Sequence, residues 1–175
     1  FVPISMQMVL LHSTSNLWAN EDEAHISSIA ARVTRYTLLF TALLAIGLAA
    51  LATRAIPILY PDEYLASRTP LLLLLPGALG FAVARPMLAI GQGKGDLKIP
   101  IAATGIAAGL NLVLNWVLIK QFGMNGAAVA TSVSYGSMFV LHVWSARRLG
   151  FDPLSDARPG RTILTILLSI VPIFY

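Results

Sequence analysis

Apolar runs as long as a lipid bilayer is thick constrain this chain more than any other feature. Three runs of about 20 residues carry almost no charge, and at 1.5 Å per residue a helix of that length crosses the roughly 30 Å of hydrocarbon. The 175 residues are 57% hydrophobic and 11% charged, with a mean hydropathy of +0.75, whereas soluble domains are roughly 25% charged. The sequence therefore predicts an integral membrane protein.

The apolar runs are expected to be helices, because open sheet edges cannot face lipid. Complete membrane spans are predicted at about residues 36–60, 71–90, 99–119 and 127–146. The apolar ends of the chain, residues 1–15 and 162–175, are too short to cross a bilayer, and each is interpreted as a truncated membrane helix. The predicted fold class is an all-α, polytopic membrane helix bundle with four complete and two truncated transmembrane helices.

Residues 16–35 are predicted to form a loop and a helix ahead of the first complete span. Asn20 followed three residues later by Glu23 resembles a capping box, which marks a helix start. Ile26 and later apolar residues at spacings of three and four lie on one face. This pattern fits a helix lying in the membrane interface, and it fits equally well a simple extension of the next span.

Basic residues orient the spans, because cytoplasmic loops of membrane proteins carry more Lys and Arg. Eight basic residues fall on one side: Arg32, Arg35, Lys94, Lys98, Arg147, Arg148, Arg158 and Arg161. Three fall on the other: Arg54, Arg68 and Lys120. The first side is predicted to lie in the cytoplasm with residues 16–35 and 147–161, around a four-helix core at residues 36–146. The chain is assigned to the cytoplasmic membrane, and its positive charge to lipid headgroups rather than nucleic acid.

No catalytic or metal site can be assembled from these residues. Cysteine is absent, which excludes disulfides and thiolate metal sites. His12, His25 and His142 lack metal-ligand spacing, and there is no Ser/His or paired-carboxylate arrangement. His142 is four residues from the end of its predicted helix and is expected to be interfacial. The chain is therefore predicted not to be an enzyme.

Carboxylates are confined to the predicted loops: Glu21, Asp22, Glu23, Asp62, Glu63, Asp96, Asp152 and Asp156. A cation-coupled antiporter usually binds its ion with a carboxylate inside the membrane. The positions of these acids therefore argue against antiport by this part of a protein.

Arg85 is predicted to lie well inside a span, about six residues or 9 Å from the cytoplasmic end of its helix. A buried arginine needs a water-filled cavity or a partner, and its planar guanidinium matches phosphate oxygens. One hypothesis is that Arg85 binds substrate. The alternative is that its side chain extends to the cytoplasmic interface, helped by the helix break at Pro86.

Small residues and amides form a seam along the third and fourth spans. Gly105 and Gly109 make a GxxxG pair, and Asn111 and Asn115 lie on an adjoining face. Small residues let helices approach closely, whereas amides in lipid need partners on neighbouring helices or in a cavity. Asn111 and Asn115 are candidates for packing or for substrate binding in a polar lumen. Helix packing is predicted for Gly105, Gly109, Gly126, Ala127, Ala130 and Ser134.

The loop IGQGKGDLKIP, residues 90–100, has glycines spaced as in a phosphate-binding loop. A Walker A lysine is followed by Ser or Thr, and its loop follows a strand, whereas Lys94 precedes Gly95 and follows a membrane span. The glycines are instead predicted to permit the positive φ that ends a helix. Topology and contact with anionic headgroups are predicted to depend on Lys94, Lys98, Arg147 and Arg148.

The order of these features resembles a family of transporters. Residues 109–135, GLNLVLNWVLIKQFGMNGAAVATSVSY, are similar to the N-x-x-L-N-x-x-L-I, short turn, G-A-A-x-A-T segment of the polysaccharide biosynthesis flippases. ILYPDEYLAS is similar to the F-G-x-E-Y loop of that family, and MLAIGQGKGDLKIPI to its Q-A-x-G-R loop. The likeness covers about residues 20–150. These Wzx-type lipid-linked oligosaccharide transporters share a superfamily with the MATE exporters and the lipid II flippases.

The resemblance implies a transporter of about twelve to fourteen helices, built as two bundles around a central cavity that works by alternating access. This chain would be most of its C-terminal half, with the missing N-terminal half and membrane lipids as partners and no cofactor. The implied function is translocation of polyprenyl-diphosphate-linked oligosaccharide for polysaccharide biosynthesis. A MATE-type cation-coupled multidrug antiporter is the first alternative, and a membrane-embedded glycan ligase or polymerase is the second.

Overall fold

A computed structural model describes residues 18–19, 23–95 and 98–154. Regular structure in these ranges is helical throughout, without a strand, so the predicted all-helical class is confirmed for the described residues. The main elements are α1 (Glu23–Leu59), a 3-10 helix (Asp62–Ser67), α2 (Arg68–Gly93) and α3 (Lys98–Arg148). The predictions for residues 1–15 and 162–175, and for the cap at Asn20, lie outside the described residues.

Three helical segments in the described ranges are long and apolar enough to cross a membrane: Glu23–Ala52, Asp62–Gly93 and Lys98–Arg148. The last has 51 residues, which would measure about 77 Å if straight, more than twice the hydrocarbon thickness. It is interrupted at Gly123, where φ is 55° and ψ is −130°. Such a φ favours glycine, because a Cβ atom would clash with the backbone.

The chain reverses direction at this break. A Cβ atom placed at Gly126 would overlap the carbonyl group of Leu118, although eight residues of straight helix would separate the two by about 12 Å. Further from the break, Ala107 and Met138 belong to the same buried cluster. Residues 98–122 (the first arm) and 124–148 (the second arm) therefore pack side by side, and the break falls inside the turn predicted at residues 120–126.

Helix α1 has 37 residues and no break. The segment at residues 23–35 is continuous with the following span, which corresponds to the second of the two alternatives left open by its sequence pattern. Ile26, Ala30, Thr34 and Ala42 are all buried along one side of this helix. That side packs on α2, while Leu43, Leu44, Leu48 and Leu51 point outward.

Helix α2 is longer at both ends than the predicted span at residues 71–90. It begins at Arg68, because a proline in the first turn, here Pro70, costs no intrahelical hydrogen bond. Its helical conformation continues through two of the three loop glycines and ends at Gly93. Only Gly95 has the predicted positive φ, 80°.

The end of α3 is closed by a Schellman motif. The Phe151 amide donates to the Ala146 carbonyl at 3.1 Å and the Gly150 amide to the Arg147 carbonyl at 3.3 Å, with Gly150 at φ 96°. Phe151 is buried against Ile26 and Ile90. A buried aromatic residue, Phe151, thus lies near the start of the predicted polar loop at residues 147–161. The composition of the loop did not suggest this burial.

Candidate functional site

A cleft of about 280 Å³ opens between α2 and the two arms of α3. Its wall is lined by Phe81, Arg85, Leu88, Thr104, Ala107, Ala108, Asn111, Ser134, Tyr135 and Met138. Most of this surface is apolar, and the polar groups on it are one guanidinium, one amide and three hydroxyls. The cleft therefore combines a surface for apolar matter with a few hydrogen-bonding groups, which is the usual composition of a small-molecule site.

Arg85 is half-buried in the wall of this cleft. Its Cζ lies 4.6 Å from the centroid of the Phe81 ring, one turn earlier on α2, and the Phe81 ring centroid lies 4.6 Å from that of Tyr135 on the second arm. A cation stacked on an aromatic face is stabilised by the ring quadrupole. The stack holds the guanidinium at the cleft, so the structure places this residue where the substrate-binding hypothesis requires it.

The two asparagines proposed as substrate ligands are bonded to each other. Nδ2 of Asn115 donates to Oδ1 of Asn111 at 2.9 Å. Asn111 lines the cleft, whereas Asn115 does not. Because this bond uses an acceptor of Asn111, its amide nitrogen keeps donors that can face the cleft. Arg85 and Asn111 therefore line the same cleft, whereas Asn115 does not line it and is hydrogen-bonded to Asn111.

The residues predicted for packing divide into two groups. Ala130 and Ser134 are buried, and the Ser134 hydroxyl donates to the Ala130 carbonyl at 2.7 Å. Ala127 is half-buried, and Gly126 permits the close approach of the two arms. These four positions pack within the described helices.

The GxxxG pair lies on the face of the first arm that points away from the other described helices. Gly105 and Gly109 are exposed, and a Cβ atom at either would meet no atom within 4 Å. Ala103 and Ala107, on the other face, are the residues that this arm buries. The pair therefore packs on no other described helix, and its predicted packing role stays a prediction.

A closer helix contact was not anticipated from the sequence. A Cβ atom at Gly77 would overlap the Ser132 backbone, and one at Gly80 would lie 3.1 Å from the Tyr135 carbonyl oxygen. These glycines bring α2 against the second arm, where the Ser132 hydroxyl donates to the Leu73 carbonyl at 2.5 Å. Two glycines three residues apart, after Pro76, were the available signal.

Two of the four basic residues predicted to meet headgroups make contacts within the protein. Nζ of Lys94 donates to the Leu149 carbonyl at 2.6 Å, at the end of α3, and lies 4.5 Å from the Trp18 ring centroid. Nε of Arg147 is 3.5 Å from Oδ1 of Asp152. A cation at a helix C-terminus offsets the negative end of the dipole, so Lys94 ties the loop after α2 to the end of α3.

The other two basic residues are also exposed. Arg148 lies with its Cζ 4.8 Å from the Trp144 ring centroid, and the Lys98 side chain is exposed at the start of α3. An aromatic ring beside a cation is common at the headgroup level of membrane proteins. Contact of Lys98 and Arg148 with anionic headgroups stays a prediction.

His142, which was expected to be interfacial, is buried within the protein. Only 1% of its surface is exposed, and Nδ1 lies 2.9 Å from the Met138 carbonyl. Its short sequence distance from the helix end did not reveal this burial.

Comparison with known proteins identifies the family. The family model described as lipid II flippase MurJ matches residues 1–175. The chain belongs to this family. The family consists of transporters. The prediction of a transporter rather than an enzyme is therefore confirmed for the family. The resemblance to lipid-linked oligosaccharide flippases is confirmed as well. The lipid II flippases were named above as members of the same superfamily.

Individual relatives agree with this assignment. The chain is 27% identical over all 175 residues to the uncharacterized membrane protein MJ1068 of Methanocaldococcus jannaschii, of which it covers 34%. It is 34% identical over 67 residues to the Probable multidrug resistance protein NorM of Thermotoga maritima, which is 35% of this chain and 14% of NorM. It is 55% identical over 40 residues to the Probable low-salt glycan biosynthesis flippase Agl15 of Haloferax volcanii, which is 23% of this chain and 8% of Agl15.

A solved structure shares the fold. The structure titled lipid II flippase MurJ, inward closed conformation, superposes with a TM-score of 0.76 at 21% identity, over 98% of this chain and 36% of that chain. The chain thus spans about a third of the length of the relative and of the solved structure that it matches throughout.

Proposed function

We propose that this chain is the part of a flippase that contacts the phosphates of a polyprenyl-diphosphate-linked saccharide as it crosses the cytoplasmic membrane. The observation that carries the proposal is the position of Arg85 on a largely apolar cleft that Asn111 also lines. A diphosphate carries negative charge through a low-dielectric region, where a guanidinium offers paired donors to phosphate oxygens. Amide and hydroxyl groups of the same wall suit sugar hydroxyls, and the lipid tail remains in the bilayer.

The proposal extends to the architecture. The first and second arms of α3 are proposed as separate membrane spans, which with α1 and α2 makes four complete spans. In the whole transporter they would form most of the second of two bundles around a central cavity. Support comes from the reversal at Gly123 and from the superposition on the MurJ structure. The residues supplied by the rest of the protein would complete the cavity.

The cargo is proposed by chemical class rather than by name. The family description names lipid II, and the name of Agl15 refers to glycan biosynthesis. The proposed cargo class is a saccharide linked to a polyprenyl diphosphate. This class includes cargo for polysaccharide biosynthesis and for cell-wall biosynthesis. Phosphate recognition by Arg85 is independent of the sugar sequence.

The proposal is tested by the leaflet distribution of the cargo in cells. Depletion of the full-length protein should make lipid-linked saccharide accumulate on the cytoplasmic face of the membrane, measured by its accessibility to a membrane-impermeant glycan-modifying enzyme. Re-expression of the wild type should restore accessibility from outside. An unchanged leaflet distribution on depletion would contradict the proposal.

A multidrug antiporter is kept as the second candidate because 67 residues match NorM at 34% identity. Such a transporter usually binds a cation with an intramembrane carboxylate. The described acids, Glu23, Asp62, Glu63 and Asp152, lie at helix ends or between helices. Efflux of cationic dyes from cells expressing the full-length protein, abolished by dissipating the cation gradient, would favour this candidate over the flippase.

A further inference from the structure

Three buried polar atoms within the described residues have no hydrogen-bond partner in the protein: Oγ1 of Thr34, Oγ1 of Thr37 and Nε2 of His142. Their residues are 1%, 5% and 1% exposed. Leaving a buried polar group unsatisfied destabilises a fold. Three such atoms on the two helices that pack against the second half of α2 call for a common explanation.

The two threonines lie against the second half of α2. Ala30 precedes them on α1 and packs in one cluster with Ile90, whereas Leu38 follows them and packs against Val83 and Met87. Thr34 and Thr37 lie between these contacts on the buried side of α1. The two threonines therefore lie level with the turns of α2 that contain Pro86.

His142 reaches the same turns from the second arm. Val143, its neighbour, packs with Val83 and Met87, and Ala146, one turn later, packs with Ile90. A backbone carbonyl can only accept, so the Nδ1 atom of His142 donates to Met138. Its Nε2 atom is then an acceptor in the neutral ring and is directed elsewhere in the interior.

Pro86 supplies the fourth member of this set. It is fully buried, and because proline has no amide N–H, it cannot donate to the Ala82 carbonyl. Prolines within membrane helices are tolerated where Ser or Thr side chains or ordered waters satisfy the carbonyls they free. Pro76 is the other proline in the interior of α2, and there a hydroxyl of the second arm bonds directly to the same turn, since Ser132 donates to the Leu73 carbonyl. The threonine hydroxyls near Pro86 make no such direct bond.

We propose that the Pro86 turn of α2 is a buried water-binding site, formed by the hydroxyls of Thr34 and Thr37, Nε2 of His142 and the carbonyl freed at Ala82. Buried waters typically make about three hydrogen bonds to groups that are otherwise unsatisfied. A water donates to Nε2 and to the carbonyl and accepts from the hydroxyls, which satisfies all of them. Because water bonds rearrange at little cost, the hydrated turn is the place where α2 can bend and displace Arg85, one residue before Pro86.

The site is tested by radiolytic footprinting of the full-length protein in lipid nanodiscs. Hydroxyl radicals formed from bound water oxidise adjacent side chains even when these are buried. Met87 is 3% exposed and packs beside the site, so it should be oxidised measurably in the wild type. Oxidation of Met87 should fall about threefold in the double variant Thr34→Val with Thr37→Val, because the water loses two of its partners. Met124, which is 61% exposed, is the internal reference.

Two further variants separate hydration from a general loss of structure. Thr34→Ser with Thr37→Ser keeps both hydroxyls and should retain the oxidation of Met87. Ser137→Ala removes a hydroxyl that already donates to its own helix at Val133 and should leave Met87 unchanged. If Met87 is unlabelled in the wild type, or if the double valine variant is oxidised at the wild-type rate, the site does not bind water. The test does not depend on which cargo the protein carries.

Discussion

The two prolines in the interior of α2, Pro76 and Pro86, lie in different surroundings. Around Pro76 the glycines at 77 and 80 bring α2 against the second arm, and the Ser132 hydroxyl bonds directly to a carbonyl of the proline turn. Around Pro86 the helix is more deeply buried, but the neighbouring hydroxyls have no protein partner and the adjacent Arg85 lines a cleft. We infer that the first half of α2 is anchored by these direct contacts and that the second half can adapt where its polar neighbours lack partners.

The largest effect on the anchored half is expected from Gly77→Val. Its side chain would overlap the Ser132 backbone, and separating the two helices should destabilise the protein by about 3 kcal/mol or prevent folding. Thermal unfolding of the purified full-length protein measures this. The matched control is Gly136→Ala, because a Cβ atom there meets no atom within 4 Å. A Gly77→Val variant as stable as the control would show that this half is not anchored by packing.

A smaller effect is expected from Ser132→Ala, which removes the hydroxyl bonded to Leu73. Loss of one neutral hydrogen bond should cost about 1 kcal/mol, seen as a lower unfolding temperature. Ser137→Ala serves as its control, since that hydroxyl bonds only within its own helix. Equal unfolding temperatures for the two variants would show that the direct hydrogen bond near Pro76 does not stabilise the protein.

The smallest effect concerns the end of α2 beyond Pro86. Lys94→Met removes the bond from Nζ to the Leu149 carbonyl, and for this exposed cation at a helix C-terminus the cost should be about 0.5 kcal/mol. Lys94→Arg keeps the charge and should keep most of the stability. Limited proteolysis near the start of α3, faster for Lys94→Met than for Lys94→Arg, is the measurement. Equal rates would show that the tie between α2 and α3 does not hold the loop.

The sequence predicted the helices well and their contacts poorly. Length and hydropathy identify membrane helices from local composition, and the reversal near Gly123 was marked by a glycine-rich polar turn. The GxxxG pair at Gly105 and Gly109 was marked as a packing motif, yet the first arm buries Ala103 and Ala107 instead, because in an all-round apolar helix small residues do not reveal which face meets a neighbour. The tight contact at Gly77 depends on Ser132, which lies 55 residues away in sequence.

The candidate site was predictable only in part. Arg85 stood out because a charge inside an apolar run is rare and costly, and Asn111 because an amide in lipid needs a partner. The polar set at Pro86 was not predictable, since Thr34 and Thr37 are ordinary residues for a membrane helix. Their significance comes from burial between Ala30 and Leu38 without a hydrogen-bond partner. Burial of His142 likewise could not be read from its position near the end of a helix.

The most direct test of the central claim is the rate at which full-length protein in proteoliposomes moves a fluorescent polyprenyl-diphosphate-linked disaccharide between leaflets. Arg85→Ala should lower this rate about tenfold, the equivalent of about 1.4 kcal/mol of lost phosphate interaction, and Arg85→Lys should retain part of it. Arg54→Ala, which removes an exposed arginine of α1, should leave the rate unchanged. A wild-type rate for well-folded Arg85→Ala would contradict the assignment of this cleft to the cargo.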